Sequence, residues 1–115
     1  MHQNVQKILE LLSSDLVRDR LALPGLALFL HYKKLHRLTL DEMDEVAKYF
    51  GYKNGKKLWD HYGMMRDKER RLCNGESKRT KYNRTDKIEL LLPFLNEEEK
   101  KEAESDIKKI RRYLY

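Results

Sequence analysis

Apolar residues recur every three or four positions along almost the whole of this chain, the spacing that places side chains on one face of an α-helix. Met43, Val46, Ala47 and Phe50 form one such run. Only five glycines and two prolines interrupt the 115 residues, which leaves little material for strands. The apolar fraction of 40% is enough for one compact core but not for two. The sequence therefore predicts a single all-α domain over residues 1–115, a compact helical bundle.

Turn formers and capping residues divide this pattern into segments. Thr39 and Glu42 have the spacing of a capping box, and Gly51 stands where a left-handed residue ends a helix. Pro24 suits the first turn of a helix whose broad apolar stripe predicts a central position. The helices expected before residue 73 are Gln3–Ser13, Asp15–Leu23, Pro24–Arg37, Leu40–Phe50 and Lys56–Leu72.

The second half of the chain begins with a polar stretch. No apolar residue occurs between Asn74 and Lys81, so a mobile basic loop is expected over residues 73–84, one that orders on binding. C-terminal amphipathic helices are expected over residues 85–115. Asn83 or Thr85 would cap the first of them, and Pro93 would end or kink it.

The last helix is expected to start at a second capping box, Asn96 to Glu99. It carries a narrow apolar stripe at helical spacing, Ala103, Ile107, Ile110 and Leu114. That stripe packs either on the domain or on a partner, and the sequence leaves both alternatives open.

Residues 42–62 have the order of a helix-turn-helix. A first helix carries small Ala47 on its inner face, Gly51 follows four residues later, and a second helix has a basic outer face. A helix-turn-helix-like core is therefore expected over about residues 24–72. Leu58 comes one position later than in the tightest version of the motif, so a plain helical hairpin is the alternative.

Positive charge is concentrated in the middle of the chain. The net charge is +6, and residues 53–84 contain eleven basic residues against four acids, so this segment carries +7 and the remainder −1. A surplus confined to one stretch produces a local positive potential that attracts polyanions. The alternative is a solvated basic face that has no ligand.

The candidate nucleic-acid-binding residues follow from this charge and from the motif. Those at the turn and the leading end of the second helix, where such folds meet bases and phosphates, are Tyr52, Lys53, Asn54, Lys56 and Lys57. His61, Lys68 and Arg71 share with Lys57 and Met64 the face opposite the core stripe. The residues expected to follow the phosphate backbone are Arg66, Lys68, Arg70, Arg71, Lys78, Arg79, Lys81 and Arg84.

Three residues of this region have structural alternatives. Asn54 is more simply a helix N-cap than a base contact. Trp59 is more simply a residue of the core or of its hydrophobic rim than a platform for base stacking, because it lies next to the apolar stripe. Tyr62 is most simply a core residue.

The sequence does not favour an enzyme or a cofactor-binding protein. It has no phosphate-binding glycine loop and no nucleophile motif. His31 and His36 stand five positions apart, on different sides of a helix, so with distant Cys73 they form no zinc site and are expected at the surface or its boundary. No catalytic residue, metal, cofactor or small-molecule substrate is inferred.

The cellular location of the protein is inferred from its cysteine content, the length of its apolar runs and its first residues. A lone cysteine agrees with a reducing compartment, and the longest apolar run, Leu21 to Leu30, is too short for a membrane span. The first residues lack the order of a secretory signal. A cytoplasmic protein with no membrane contact is expected.

The middle of the chain also resembles a known family. The helix from Leu58 with its charged extension, and Asn83-Arg84-Thr85 followed by an amphipathic helix, look like the RteC transcriptional regulators of Bacteroides-type mobile elements. The resemblance implies a helical, DNA-binding C-terminal domain of a transcriptional regulator.

Together these features predict a non-enzymatic domain with a regulatory role that binds nucleic acid. Double-stranded DNA is the first candidate ligand. One alternative is a protein-interaction module that docks or forms a homodimer through Ile107 and Ile110 of the last helix. A second alternative is an RNA-binding protein, because the electrostatics would be the same.

Overall fold

The computed structural model describes residues 3–35, 38–112 and 114, and their regular structure is entirely helical. The helices are α1 Gln3–Leu9, α2 Ser14–Leu16, α3 Ala22–Tyr32, α4 Leu40–Tyr49, α5 Lys56–Arg66, α6 Lys68–Arg71, α7 Lys78–Leu91 and α8 Glu97–Arg111. A π-helical turn, Val17–Leu21, connects α2 to α3, and a 3-10 turn, Leu92–Phe94, connects α7 to α8. The all-α prediction is confirmed.

Helix α3 is the centre of the fold. Every residue from Gly25 to Tyr32 is buried, and the helix packs against α5, α7, α8 and the π-helical turn. The predicted central position is confirmed, but the helix begins two residues before Pro24 and ends at Tyr32. Lys34 takes a left-handed conformation (φ 60°), and the amide of Leu35 donates to the carbonyl oxygen of Leu30 at 3.1 Å. Arg37, the expected end, lies outside the described residues.

The capping signals of α4 are confirmed. The Thr39 hydroxyl accepts from the amide of Glu42 at 3.1 Å, and the Glu42 carboxylate accepts from the amide of Thr39 at 3.0 Å. Gly51 has φ 87°, which only glycine adopts without strain. The chain therefore leaves α4 where the sequence predicts.

The turn between α4 and α5 depends on a second glycine, Gly55, whose place in the turn the sequence predicts but whose close approach to α4 it does not. Its amide donates to the Asp44 carboxylate at 2.5 Å, and an added Cβ would lie 2.4 Å from the carbonyl carbon of Met43. Ala47 is fully buried, as expected for the inner face of a close helix pair. Gly55 is nevertheless the residue whose missing side chain brings the start of α5 onto the backbone of α4.

We expect Gly55→Ala to lower the free energy of unfolding by about 1–3 kcal/mol, because the new methyl group would meet backbone that cannot rotate away. Urea denaturation followed by circular dichroism measures the change. Gly63→Ala is the matched control: no atom lies within 4 Å of the added Cβ, so we expect a gain of about 0.5–1 kcal/mol from helix propensity. Equal effects of the two substitutions would contradict the close approach at Gly55.

The expected continuous helix from Lys56 to Leu72 is divided at Asp67. This residue is extended (φ −79°, ψ 116°), and its carboxylate accepts from the amide of Glu69 at 3.1 Å, which starts α6. The change of direction turns Arg71 away from the face it would occupy on a straight helix.

The basic loop predicted over residues 73–84 was mostly wrong. Only the stretch from Leu72 to Ser77 is irregular, and the Ser77 hydroxyl accepts from the amide of Thr80 at 3.2 Å to start α7. Asn83 and Thr85 are not caps. Thr85 is buried inside α7, where its hydroxyl donates to the Tyr82 carbonyl at 3.0 Å.

Helix α8 begins at the predicted Asn96 capping box, where both hydrogen bonds measure 2.9 Å. Pro93 lies in the 3-10 turn that ends α7, as expected. The stripe of α8, Ala103, Ile107 and Ile110, is buried against the rest of the domain. Of the two alternatives for this stripe, the structure shows the intramolecular one. None of the described helices is long and apolar enough to span a bilayer.

Candidate nucleic-acid interface

Two helices of the bundle begin with cations. The first turn of α5 carries Lys56 and Lys57 and no acid, and the first turn of α7 carries Lys78 and Arg79 and no acid. In contrast, the capping boxes of α4 and α8 are followed by acidic first turns. Because the N-terminus of a helix is the positive end of its dipole, acids stabilise it and cations destabilise it. The first turns of α5 and α7 therefore carry no acid of their own at the positive end of the dipole, although the Asp44 carboxylate of α4 accepts from the amide of Gly55 at the start of α5.

The cations at these two helix starts are exposed and unpaired. Lys53, Lys56, Lys57, Lys78 and Arg79 all lie in the exposed class. None of them forms an ion pair with another residue of the described part of the chain. Their charge is available to a ligand.

The other two residues of the predicted turn have structural roles. The Asn54 carboxamide oxygen accepts from the amide of Lys56 at 3.1 Å, although the N-cap of α5 is Gly55 and not Asn54. Tyr52 is half-buried against the core, and burial raises the pKa of its phenol. The amide of Tyr52 donates to the Ala47 carbonyl at 2.9 Å.

Arg71 lies in the core, so the expectation that it shares the face opposite the core stripe was wrong. Its Nε donates to the Asp106 carboxylate at 2.9 Å, and its Nη1 donates to the Met65 carbonyl at 3.0 Å. The Tyr32 hydroxyl donates to the same Asp106 oxygen at 2.8 Å. Burial, followed by the Asp106 charge and this hydrogen bond, raises the pKa of Tyr32. The network connects α3, α6 and α8 through a buried carboxylate.

His31 is also buried, contrary to the surface or boundary position expected for it. Its Nε2 lies 3.4 Å from the Glu102 carboxylate. Burial and the nearby Arg71 charge lower the pKa of His31 to about 4, although Glu102 opposes the change. The imidazole is therefore neutral at pH 7. His36, the other histidine considered for zinc, lies outside the described residues.

Arg84 connects α7 to the end of α6. Its Nη1 donates to the carbonyl oxygen of Arg71 at 2.7 Å and to that of Arg70 at 3.1 Å. The bond to Arg71 satisfies a carbonyl group at the end of a short helix, whereas the Arg70 carbonyl also accepts from the amide of Cys73 at 3.1 Å. Arg84 thus has a structural role in addition to its charge.

A cluster of cations surrounds Arg84. Burial lowers the pKa of His61; Asp60 opposes this, and the charges of Arg84 and Lys57 add to it. Burial and Arg84 also lower the pKa of Lys87, whose Nζ donates to the Arg20 carbonyl at 3.0 Å. Sequence reasoning missed Lys87, because it lies beyond the basic run and has the appearance of a solvated helix residue.

The groove between α6 and α7 is not uniformly basic. Its lining includes Arg70 and Arg84, but also the acids Asp67, Glu69 and Glu76. Arg70 is drawn toward Asp67, with 3.7 Å between Nε and the carboxylate oxygen. A phosphate chain that followed this groove would meet carboxylates.

The remaining predicted cations are dispersed. The Arg66 guanidinium lies 5.7 Å from the centre of the Tyr62 ring, and Lys68 is exposed on α6. Lys81 is half-buried, and its charge reaches Cys73, whose thiol pKa is raised chiefly by burial. The fourteen predicted residues therefore do not form one continuous surface.

The aromatic residues of α5 separate into one buried and one exposed side chain. Tyr62 is buried, as predicted, and its hydroxyl donates to the Leu35 carbonyl at 2.5 Å. Trp59 is 43% exposed, so of the two positions expected for it the core position was wrong, whereas a position at the rim of the core agrees with this exposure.

Within residues 3–35, 38–112 and 114, no three His, Cys, Asp or Glu side chains are grouped to hold a metal ion. Comparison of the chain with protein-family models, with curated proteins and with solved structures finds no match.

Proposed function

We propose that this protein binds nucleic acid, with duplex DNA as the first candidate ligand. The backbone phosphates would lie at the starts of α5 and α7. The observation that carries the proposal is the presence of Lys56, Lys57, Lys78 and Arg79, exposed and unpaired, at the positive ends of two helices. The binding is an equilibrium recognition without bond chemistry.

A phosphate at such a position gains from three sources at once. The free amides of a first helical turn donate to it, the helix dipole favours its charge, and the two cations pair with it. The cations meanwhile lose the unfavourable interaction with the dipole, which is about 0.3–1 kcal/mol for each charge. An anion thus removes a destabilising feature that the free protein carries.

The regulatory role rests on the α4–turn–α5 arrangement and on the resemblance to RteC regulators. The turn from Phe50 to Gly55 is longer than the three or four residues of a typical helix-turn-helix. Lys53 and Lys56 stand at the turn and the leading end of α5, where such folds contact DNA.

We expect binding to duplex DNA to weaken by about a hundredfold between about 50 and 200 mM salt, because four phosphate contacts release about four counterions. Fluorescence anisotropy of a labelled duplex measures the affinity. Binding that does not depend on salt, or no binding at the lower concentration, would overturn the proposal.

A charge-matched pair of variants tests the location. Lys78→Gln combined with Arg79→Gln is expected to lower the affinity about tenfold or more and to reduce the salt slope by about two. The control, Lys101→Gln with Lys108→Gln, removes the same charge from exposed positions of α8. Equal losses would indicate attraction to net charge alone. Competition between duplex DNA and structured RNA distinguishes the RNA-binding alternative.

A further inference from the structure

The outward side of α5 carries an exposed indole between two cations. Lys56, Trp59, Gly63 and Arg66 are spaced by three, four and three positions, so they share one face of the helix, which we name the Trp59 face. All except the small glycine extend a long side chain, and all four are exposed. Trp59 is the only tryptophan of the chain.

Gly63 has no role inside the molecule that requires a glycine. Its conformation is helical, and an added Cβ would meet no atom within 4 Å. Glycine in a helix interior destabilises the fold relative to alanine. The glycine one turn after Trp59 costs helix stability and leaves open space beside the indole and the neighbouring helix backbone.

We infer that the Trp59 face stacks an unpaired base of single-stranded nucleic acid. Bases stack on exposed aromatic rings, and Gly63 lets the attached sugar approach the helix backbone. Lys56 and Arg66 lie about 15 Å apart along the helix, so each can meet a phosphate on either side of the stacked base. The one acid of α5, Asp60, is adjacent to the face, and two cations outweigh it.

The inference rests on the proposed function and narrows its ligand. In a duplex the faces of the bases are covered by their neighbours, and stacking on a side chain requires an unpaired base. A duplex with an unpaired segment would serve the phosphate contacts at the helix starts and the Trp59 face together.

The lone tryptophan makes the test direct. We expect a mixed-sequence single-stranded oligonucleotide to quench the Trp59 fluorescence on binding, because a stacked base quenches an indole. A blunt duplex of the same sequence is expected to bind with little quenching. Heparin, a polyanion without bases, is expected to bind and leave the fluorescence unchanged.

Variants separate stacking from charge. Trp59→Leu is expected to weaken single-strand binding at least about fivefold, and Trp59→Phe to retain most of the affinity. Gly63→Leu fills the space beside the indole, so it should weaken binding while the midpoint of urea unfolding stays the same or rises. Leu11→Ala, which removes an apolar side chain that is 49% exposed in the turn after α1, is the control and should change neither the affinity nor the midpoint.

The outcomes distinguish the two proposals. Single-strand and duplex binding without quenching, or with equal quenching, overturns the inference about the Trp59 face and leaves the proposed function standing. No binding of either nucleic acid at about 50 mM salt overturns both. An unchanged affinity of Trp59→Leu for the single strand also overturns the inference.

Discussion

Replacing Asp106 by alanine is expected to lower the free energy of unfolding by about 3–5 kcal/mol. The Asp106 carboxylate accepts hydrogen bonds from Arg71 and from Tyr32, and the side chains of Asp106 and Arg71 are only 4% and 8% exposed. Without the carboxylate, a guanidinium charge remains in the core with no counter-charge, and the Tyr32 hydroxyl loses its acceptor. Urea denaturation followed by circular dichroism measures the change.

Two further variants show whether the loss comes from the uncompensated charge. Glu104→Ala removes an exposed acid from the same helix and is expected to change stability little. The double substitution Arg71→Met with Asp106→Leu removes both charges, and it should recover a large part of the loss. If the double variant is less stable than Asp106→Ala, the buried charge is not the cause.

The parts of the fold that sequence alone predicts are those fixed by local chemistry. The two capping boxes at Thr39 and Asn96, the turn at Gly51 and the break at Pro93 each depend on residues within one helical turn. The central position of α3 follows from the breadth of the apolar stripe on this helix. Such signals need no knowledge of the rest of the chain.

The wrong predictions concern residues whose position depends on a partner that is distant in the sequence. Arg71 belongs to the basic run, and its burial depends on Asp106, which is 35 positions away, and on the bend at Asp67. The start of α7 at Ser77 was missed because its first half has few apolar residues. Half-buried Lys81 and Arg84 cover that part of the helix instead of leucines.

The candidate site likewise contains some features that the sequence predicts and others that only the structure shows. The cations at the start of α5 were predicted from their place in a motif, whereas those at the start of α7 were assigned to a loop. That both pairs occupy helix starts without acids emerges only when the elements are known. The exposure of Trp59 could not be read from its neighbours, because it lies at the border of the apolar stripe of α5.

Stability is expected to fall as the pH drops from 7 to 5, and His31 is the main cause, because it is more deeply buried than His61. In the unfolded chain a histidine takes up a proton near pH 6.5, but in the folded protein burial and Arg71 lower the pKa of His31 to about 4. Between these values the unfolded state binds more protons, so acid favours unfolding. The expected loss is about 2 kcal/mol at pH 5 and about 3 kcal/mol near pH 4.

Between pH 7 and pH 5 the effect of His31 on stability can be measured separately from that of its partner Glu102. Burial raises the pKa of Glu102, but the hydrogen bond and charge of Lys34 outweigh this and lower it, so Glu102 loses its contribution only below its ordinary value of 4.5. Urea denaturation at pH 7, 6 and 5 should therefore show a slope in the wild type that His31→Gln reduces, and the remaining slope comes from His61, whose pKa burial also lowers. Glu104→Ala, an exposed substitution on the same helix as Glu102, should leave the slope in place. A wild-type stability that is the same at pH 7 and pH 5 would mean that the buried imidazole accepts its proton as readily as in water, and the packing of α3 against α8 would then have to open around it.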